Sequence, residues 1–232
     1  MATFLLIHGA YQGGWIWTHV ASRLRGAGQR VYAPTLDGCA ERAHALRPGI
    51  TTESHAAELA ALLMYEDLRD VVLVGTSTGG MALLKTAELA RERVGHLVLV
   101  DALALKDGEK LGDIVQRRPG EKTELSAGPT RADVEGRLFA ELEPATRAWA
   151  LARYTLHPIG VMEQPVKLPS FWSQSWNATV VYCPRSSNPP EAHQRRAADA
   201  LKARWHILDT GHYPMLSTPA ELSELLLGIG RG

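Results

Sequence analysis

The chain has only two cysteines, Cys39 and Cys183, far apart in a sequence of 232 residues. Two such cysteines form no disulfide framework and no zinc-binding spacing. Apolar runs of membrane-spanning length are also missing, and the run Phe4 to Ile7 has no basic segment before it and no cleavage pattern of small residues after it. We therefore expect a cytoplasmic protein with no membrane partner.

An excess of charge of either sign is missing as well. The 25 lysines and arginines balance 25 aspartates and glutamates, and the isoelectric point is near 7.1. Because nucleic-acid-binding surfaces carry clustered basic residues, this balance argues against a nucleic-acid partner. We expect a small-molecule substrate, and neither a cofactor nor a metal ion.

Short apolar runs alternate along the chain with helix-length patterns. Such runs are typical of strands buried on both faces of a sheet. The predicted strands are Thr3 to Ile7, Gln29 to Ala33, Val71 to Val74, His96 to Val100, Thr179 to Cys183 and Arg204 to Leu208. The predicted helices are Trp17 to Gly26, Thr52 to Tyr65, Gly80 to Glu92, Ala192 to Ala203 and Pro219 to Leu227. The alternation predicts an α/β fold whose central sheet is mostly parallel and flanked by helices.

One interval, residues 104–176, carries no strand signal. Helix starts are indicated at Thr130 and Pro144. The interval predicts a helical cap inserted before the penultimate strand, with residues 1–103 and 177–232 forming the core. Its aromatic residues are expected either to line a pocket or to pack the cap onto the sheet; they are Phe139, Trp149, Tyr154, Phe171, Trp172 and Trp176.

The strand at Val71 ends in Gly75-Thr76-Ser77-Thr78-Gly79 and continues as a helical pattern. A strand, Gly-x-Ser-x-Gly and a helix together are the signature of a nucleophile elbow, in which small residues permit a tight turn beneath the serine. An ordinary glycine-rich turn is the alternative. The pattern predicts Ser77 as a nucleophile and the Thr78 amide as an oxyanion donor.

Two further segments supply what such a nucleophile needs. The loop His8-Gly9-Ala10 follows the first strand, and we assign its Ala10 amide as the second oxyanion donor. We interpret His8 as a structural hydrogen-bonding residue. The general base is predicted to be His212, which follows the last strand in a short glycine loop.

These motifs resemble the α/β-hydrolase fold, and within it the plant methylesterase and hydroxynitrile lyase group with its bacterial esterase relatives. The resemblance covers most of the chain. It is carried by Phe4 to Ala10, Trp15-Ile16-Trp17, the elbow at Ser77, Leu97 to Ala102, His157-Pro158, Gln164-Pro165-Val166 and Gly211 to Leu216. It implies hydrolysis of small esters, with carbon–carbon lyases among the relatives, and a possible homodimer.

Within this resemblance, two positions favour an esterase. The lyases carry a threonine where Gly9 stands and a lysine where Tyr213 stands. The expected substrate is a small hydrophobic ester or lactone. The residues expected to line its pocket are Gly9, Tyr11, Trp149, Tyr154, Trp172 and Tyr213.

The third triad member departs from the family pattern. The family's aspartate would fall on Asn188, and an asparagine cannot stabilise an imidazolium. Asp101, at the end of the strand next to the nucleophile strand, is the alternative, although a purely structural aspartate is equally expected there. Asp209 is a weaker choice because it lies so close to His212 in the sequence.

The motifs therefore predict acyl transfer through Ser77, with His212 as base and Asp101 or Asn188 orienting it. Two alternatives stay open. One is a cofactor-free lyase, cyclase or oxygenase in which His212 is the working base. The other is a small-molecule-binding protein built on an inactive hydrolase fold.

Overall fold

A computed structural model describes residues 1–116 and 118–230 of the chain. The strands are β1 (Thr3–Ile7), β2 (Arg30–Tyr32), β3 (Val71–Ser77), β4 (Val94–Ala102), β5 (Glu121–Lys122), β6 (Ser126–Gly128), β7 (His157–Pro158), β8 (Ala178–Tyr182) and β9 (Arg204–Ile207). Six of them form the main sheet in the order β2-β1-β3-β4-β8-β9. Every pair in this sheet is parallel. The predicted α/β architecture is confirmed.

Helices connect and flank these strands. The α-helices are α1 (Thr18–Gly26), α2 (Thr52–Tyr65), α3 (Gly79–Leu89), α4 (Leu111–Ile114), α5 (Arg131–Asp133), α6 (Pro144–Leu151), α7 (Ile159–Glu163), α8 (Glu191–Leu201), α9 (Pro214–Ser217) and α10 (Pro219–Ile229). Short 3₁₀ turns cover Gly14–Trp17, Ala40–Ala45, Arg91–Arg93 and Phe171–Ser173, and a π-turn covers Val134–Leu138. In the described ranges, no helix has both the length and the apolar character that a membrane crossing requires.

The two faces of the main sheet bury two hydrophobic cores, because side chains alternate along each strand. On β1, Leu5 and Ile7 face one core, whereas Phe4 and Leu6 face the other. The first core packs against α2, α3 and α8. The second packs against α1 and α10. Burial on both faces explains why the strands appear in the sequence as continuous runs of apolar residues.

The segment 104–176, which was predicted to be helical because its sequence carries no strand signal, is helical in part. It contains α4 to α7 and also a three-stranded antiparallel sheet in the order β5-β6-β7. These strands are two or three residues long. A strand of that length is too short to show an alternating pattern, so the sequence gives no signal for it.

Candidate active site

Ser77 ends β3 in a strained backbone conformation. Its φ is 52°, in the left-handed region that residues with side chains rarely adopt. The turn is tight: a Cβ on Gly75 would lie 2.8 Å from the Gly79 carbonyl oxygen, and one on Gly79 would lie 2.5 Å from the His8 carbonyl oxygen. The glycines thus allow α3 to start two residues after the serine, as a nucleophile elbow requires.

The loop after β1 lies against this serine. A Cβ on Gly9 would lie 2.6 Å from Ser77 Cβ, so only glycine fits there without a shift of the elbow. The Gly9 amide donates to Gln12 Oε1 at 3.2 Å, and Gln12 is 2% exposed. Tyr11, in the same loop, has a φ of 68°, in the left-handed region that residues with side chains rarely adopt. The buried glutamine therefore fixes the loop that carries the Ala10 amide.

His8 is a structural residue in this loop. Its Nε2 accepts a hydrogen bond from the Leu36 amide at 3.0 Å, and its Nδ1 lies 2.8 Å from the Gly9 carbonyl oxygen. With Nε2 accepting, Nδ1 carries the proton and donates it to that oxygen. Burial lowers the pKa of His8 to about 4. The ring is neutral at physiological pH and joins two loops.

His212 and Asp101 form a close pair. His212 Nδ1 lies 2.5 Å from Asp101 Oδ2, and the Asp101 side chain is fully buried. Because a carboxylate oxygen can only accept, Nδ1 carries the proton, and Nε2 is left as the basic nitrogen of neutral His212. This tautomer is the one that a general base needs.

A β-bulge turns Asp101 toward His212. Thr76 pairs with Val100, and the next pair is Ser77 with Ala102, so Asp101 is an extra residue in β4. Its φ is 44°. A bulge shifts the alternation of a strand by one residue and re-aims the side chain at that point. The bulge lies beside Ser77, because the register shifts between Thr76 and Ser77 of β3.

Asn188, the other expected third member, makes no hydrogen bond to His212. Its side chain is exposed, and its backbone carbonyl accepts a hydrogen bond from Ser186 Oγ at 3.0 Å. Ser186 Oγ, in the same loop, lies 3.5 Å from His212 Nδ1. Of the two expected third members, Asp101 and Asn188, the one that is hydrogen-bonded to His212 is Asp101.

A cavity of about 870 Å³ opens above these residues. The core contributes the loop after β1, the elbow, the loop after β8 and the histidine loop; their lining residues include Ala10, Tyr11, Gln12, Ser77, Thr78, Asn188, His212 and Tyr213. The segment 104–176 lines the cavity as well, with apolar residues that include Leu111, Val115, Leu138 and Met162 and charged residues that include Arg118 and Arg137. The nucleophile, the base and both predicted oxyanion residues therefore share one cavity.

Three aromatic residues predicted to line the pocket lie outside its lining. Trp149 packs against Trp15, with ring centres 5.3 Å apart. Trp172 donates from Nε1 to the Leu105 carbonyl at 3.0 Å. Tyr154 packs against Tyr11, with ring centres 5.8 Å apart. The sequence could not fix which way these side chains turn, because each belongs to a short or irregular element.

Gly9 and the remaining aromatic residues of the segment have packing roles. Gly9 lies beneath the Ser77 side chain rather than at the cavity surface. Phe139 packs edge-on against Tyr213, with ring centres 5.0 Å apart. Phe171 and Trp176 stack on each other in the first core.

Glu141 is a cavity residue that the sequence did not indicate. Its carboxylate lies so close to Gly211, the residue before His212, that any Cβ on that glycine would collide with it. Desolvation raises the pKa of Glu141, and the nearby His212 and Arg185 oppose that rise. The carboxylate thus joins the segment 104–176 to the histidine loop.

Comparison with known proteins agrees with this geometry. The sequence pattern of the alpha/beta hydrolase family matches residues 4–225. A carbendazim hydrolyzing esterase from Nocardioides sp. (strain SG-4G) is 28% identical over 99% of this chain and 100% of its own. Methylesterase 3 from Arabidopsis thaliana is 25% identical over 97% of this chain and 94% of its own.

Solved structures show the same fold. An extracellular alpha/beta-hydrolase from a Paenibacillus species superposes with a TM-score of 0.81 at 21% identity, covering all of both chains. A methylesterase from Arabidopsis superposes with a TM-score of 0.82 at 18% identity, covering 99% of this chain and 98% of its own. The chain belongs to the alpha/beta hydrolase family. Its similarity to these esterases and methylesterases identifies it as a carboxylic-ester-hydrolase-like enzyme related to the methylesterase group.

Proposed function

We propose that the protein is a serine hydrolase that cleaves small esters or lactones through an acyl-enzyme on Ser77. One observation carries the proposal: a fully buried Asp101 lies 2.5 Å from His212 Nδ1, and His212 shares a cavity with the strained Ser77 elbow. A buried carboxylate paired with an imidazole at a nucleophile elbow is the arrangement that activates a serine.

In the proposed mechanism, His212 Nε2 takes the proton of Ser77 Oγ as the oxygen attacks the ester carbonyl. Asp101 stabilises the imidazolium that forms without taking its proton. The amides of Ala10 and Thr78 bind the tetrahedral oxyanion, and Thr78 stands at the N-terminus of α3, where the helix dipole favours negative charge. The imidazolium protonates the leaving alcohol. His212 then activates water, and hydrolysis of the acyl-enzyme restores Ser77.

The class of substrate follows from the cavity and from the relatives. Apolar residues of the segment 104–176 face the elbow across a volume that accommodates a molecule larger than the ester group itself. The similar proteins include a carbendazim hydrolyzing esterase and several methylesterases. We propose that residues 104–176 act as a cap that binds the hydrophobic part of the ester.

The test is the intact mass of the protein after treatment with a small serine-directed fluorophosphonate. The wild type should gain one adduct, and Ser77→Ala should gain none while remaining folded. Ser173→Ala, which alters an exposed serine outside the cavity lining, should label like the wild type. A folded wild-type protein that hydrolyses a panel of methyl and aryl esters without forming an adduct on Ser77 would overturn the acyl-enzyme.

A further inference from the structure

We propose that Gln194 is a positioning residue that holds Asp101 in the orientation needed by His212. This inference rests on the proposed function, because it assigns a partner to the triad acid. Gln194 lies in the first turn of α8 and is 1% exposed. It belongs neither to the elbow nor to the histidine loop.

The contacts of Gln194 define its orientation. Its Nε2 donates to Asp101 Oδ1 at 2.6 Å and to the Pro189 carbonyl oxygen at 3.1 Å. Both partners are acceptors, so the amide nitrogen must be the atom between them. A donor that is shared by a carboxylate and a fixed carbonyl has little freedom to rotate.

Asp101 needs such a partner because it is fully buried and lies in a bulge. One of its oxygens, Oδ2, faces His212 Nδ1, and the other, Oδ1, is bonded to Gln194. Hydrogen bonds to an ionised group are stronger than neutral ones, and a buried carboxylate without donors is costly. With a donor on each oxygen, the plane of the carboxylate is fixed.

Helix α8 is attached to the end of β4 at two consecutive residues. His193 Nε2 accepts a hydrogen bond from the Ala104 amide at 2.9 Å, and Gln194 holds Asp101. The carbonyl that holds Gln194 belongs to Pro189, in the loop where the sequence first suggested a triad member at Asn188. This loop therefore supports the acid through Gln194 instead of supplying one.

The other titratable groups that act on Asp101 come from three elements. They are His212 and Tyr213 in the histidine loop, Tyr182 and Cys183 at the end of β8, and Glu141 in the segment 104–176. Gln194 is an uncharged donor among them. Its removal changes the stabilisation of the carboxylate without adding or deleting a charge.

The experiment compares wild type with Gln194→Met, which keeps the length of the side chain and removes the donor. The readout is the rate of fluorophosphonate labelling of Ser77 from pH 5 to 9. Without the donor, the Asp101 carboxylate interacts more strongly with the imidazolium, so the acid limb of the pH–rate profile should move to higher pH by roughly half to one unit. The maximal labelling rate should fall about tenfold, because the carboxylate is no longer held in one orientation.

Arg195→Met is the matched control, because it makes the same replacement at the next, exposed position of α8. It should leave both the acid limb and the rate unchanged. Gln194→Asn, whose shorter amide cannot reach both acceptors, provides a second variant if the methionine is not tolerated. It should shift the limb in the same direction.

The outcomes distinguish a failure of the positioning role of Gln194 from a failure of the proposed hydrolase function. If the wild type labels on Ser77 and Gln194→Met labels with an unshifted acid limb, the positioning role is wrong and the hydrolase stands. If the wild type does not label at all, the proposed function itself fails. A lower melting temperature with an unshifted limb would assign Gln194 a purely structural role and would also overturn the inference.

Discussion

Asp101 is the last residue but one of β4, the strand beside the nucleophile strand, and its Oδ2 lies 2.5 Å from His212 Nδ1. The loop after β8, which carries Asn188, supplies no carboxylate to the base. The geometry therefore supports an acid from β4. A bulge of a single residue, with φ of 44° at Asp101, is the local change that makes this possible.

Gly9→Ala should slow the labelling of Ser77 by about tenfold to a hundredfold. The added Cβ would lie 2.6 Å from Ser77 Cβ, so the elbow or the loop after β1 must shift. A shift of this size misplaces the nucleophile relative to the base and the oxyanion donors. The labelling rate at saturating reagent measures the effect.

Gly26→Ala is the control for that variant, because a Cβ on Gly26 meets nothing within 4 Å. It should leave labelling unchanged and raise the free energy of unfolding by up to about 1 kcal/mol, since Gly26 is the last residue of α1. Equal labelling of Gly9→Ala and Gly26→Ala would contradict the close packing of Gly9 under Ser77.

The free energy of unfolding should decrease as the pH falls from about 6.5 toward 4. Burial lowers the pKa of His8 from 6.5 to about 4, so between these values the unfolded chain binds a proton that the folded chain does not. Linkage gives a loss of roughly 2 kcal/mol from His8 alone at pH 5. Urea unfolding at pH 7 and pH 5 measures the difference.

His8→Gln should reduce this dependence of the free energy of unfolding on pH, because it removes the buried imidazole. A free energy of unfolding that stays constant between pH 7 and pH 5 would contradict a neutral, buried His8.

Both cysteines should be unreactive in the folded protein. Cys39 and Cys183 are fully buried, and burial raises the pKa of each thiol, so little thiolate forms at neutral pH. A thiol-reactive chromogenic disulfide should therefore react slowly with native protein and release two equivalents after denaturation. Rapid reaction without denaturant would show that the cores around these residues open easily.

The sheet and the long helices were predictable because their signals are local. Strand β1 and helix α2 have the predicted bounds, and α2 begins at a capping box formed by Thr51 and Ser54. Ser77 and His212 were also identifiable, since each stands in a short motif at the end of a strand. Their place in one cavity follows from the parallel sheet.

The rest of the site depends on contacts that no local pattern records. A bulge such as the one at Asp101 has no recognisable sequence pattern in an apolar strand. The choice between Asp101 and Asn188 as the triad acid therefore could not be made from the sequence. Gln194 is a polar residue in an ordinary helical pattern. The orientation of Trp149 depends on its packing against Trp15, which lies far away along the chain.

The most direct measurement compares kcat/KM of Asp101→Asn and Asn188→Ala on an ester that the wild type hydrolyses, with thermal unfolding to verify that each variant folds. Asp101→Asn should lose about 10³- to 10⁴-fold, because the amide cannot stabilise the imidazolium. Asn188→Ala should stay close to wild type, because its side chain is exposed and makes no hydrogen bond to His212. Near-normal activity of Asp101→Asn with a large loss in Asn188→Ala would contradict Asp101 as the acid of the triad.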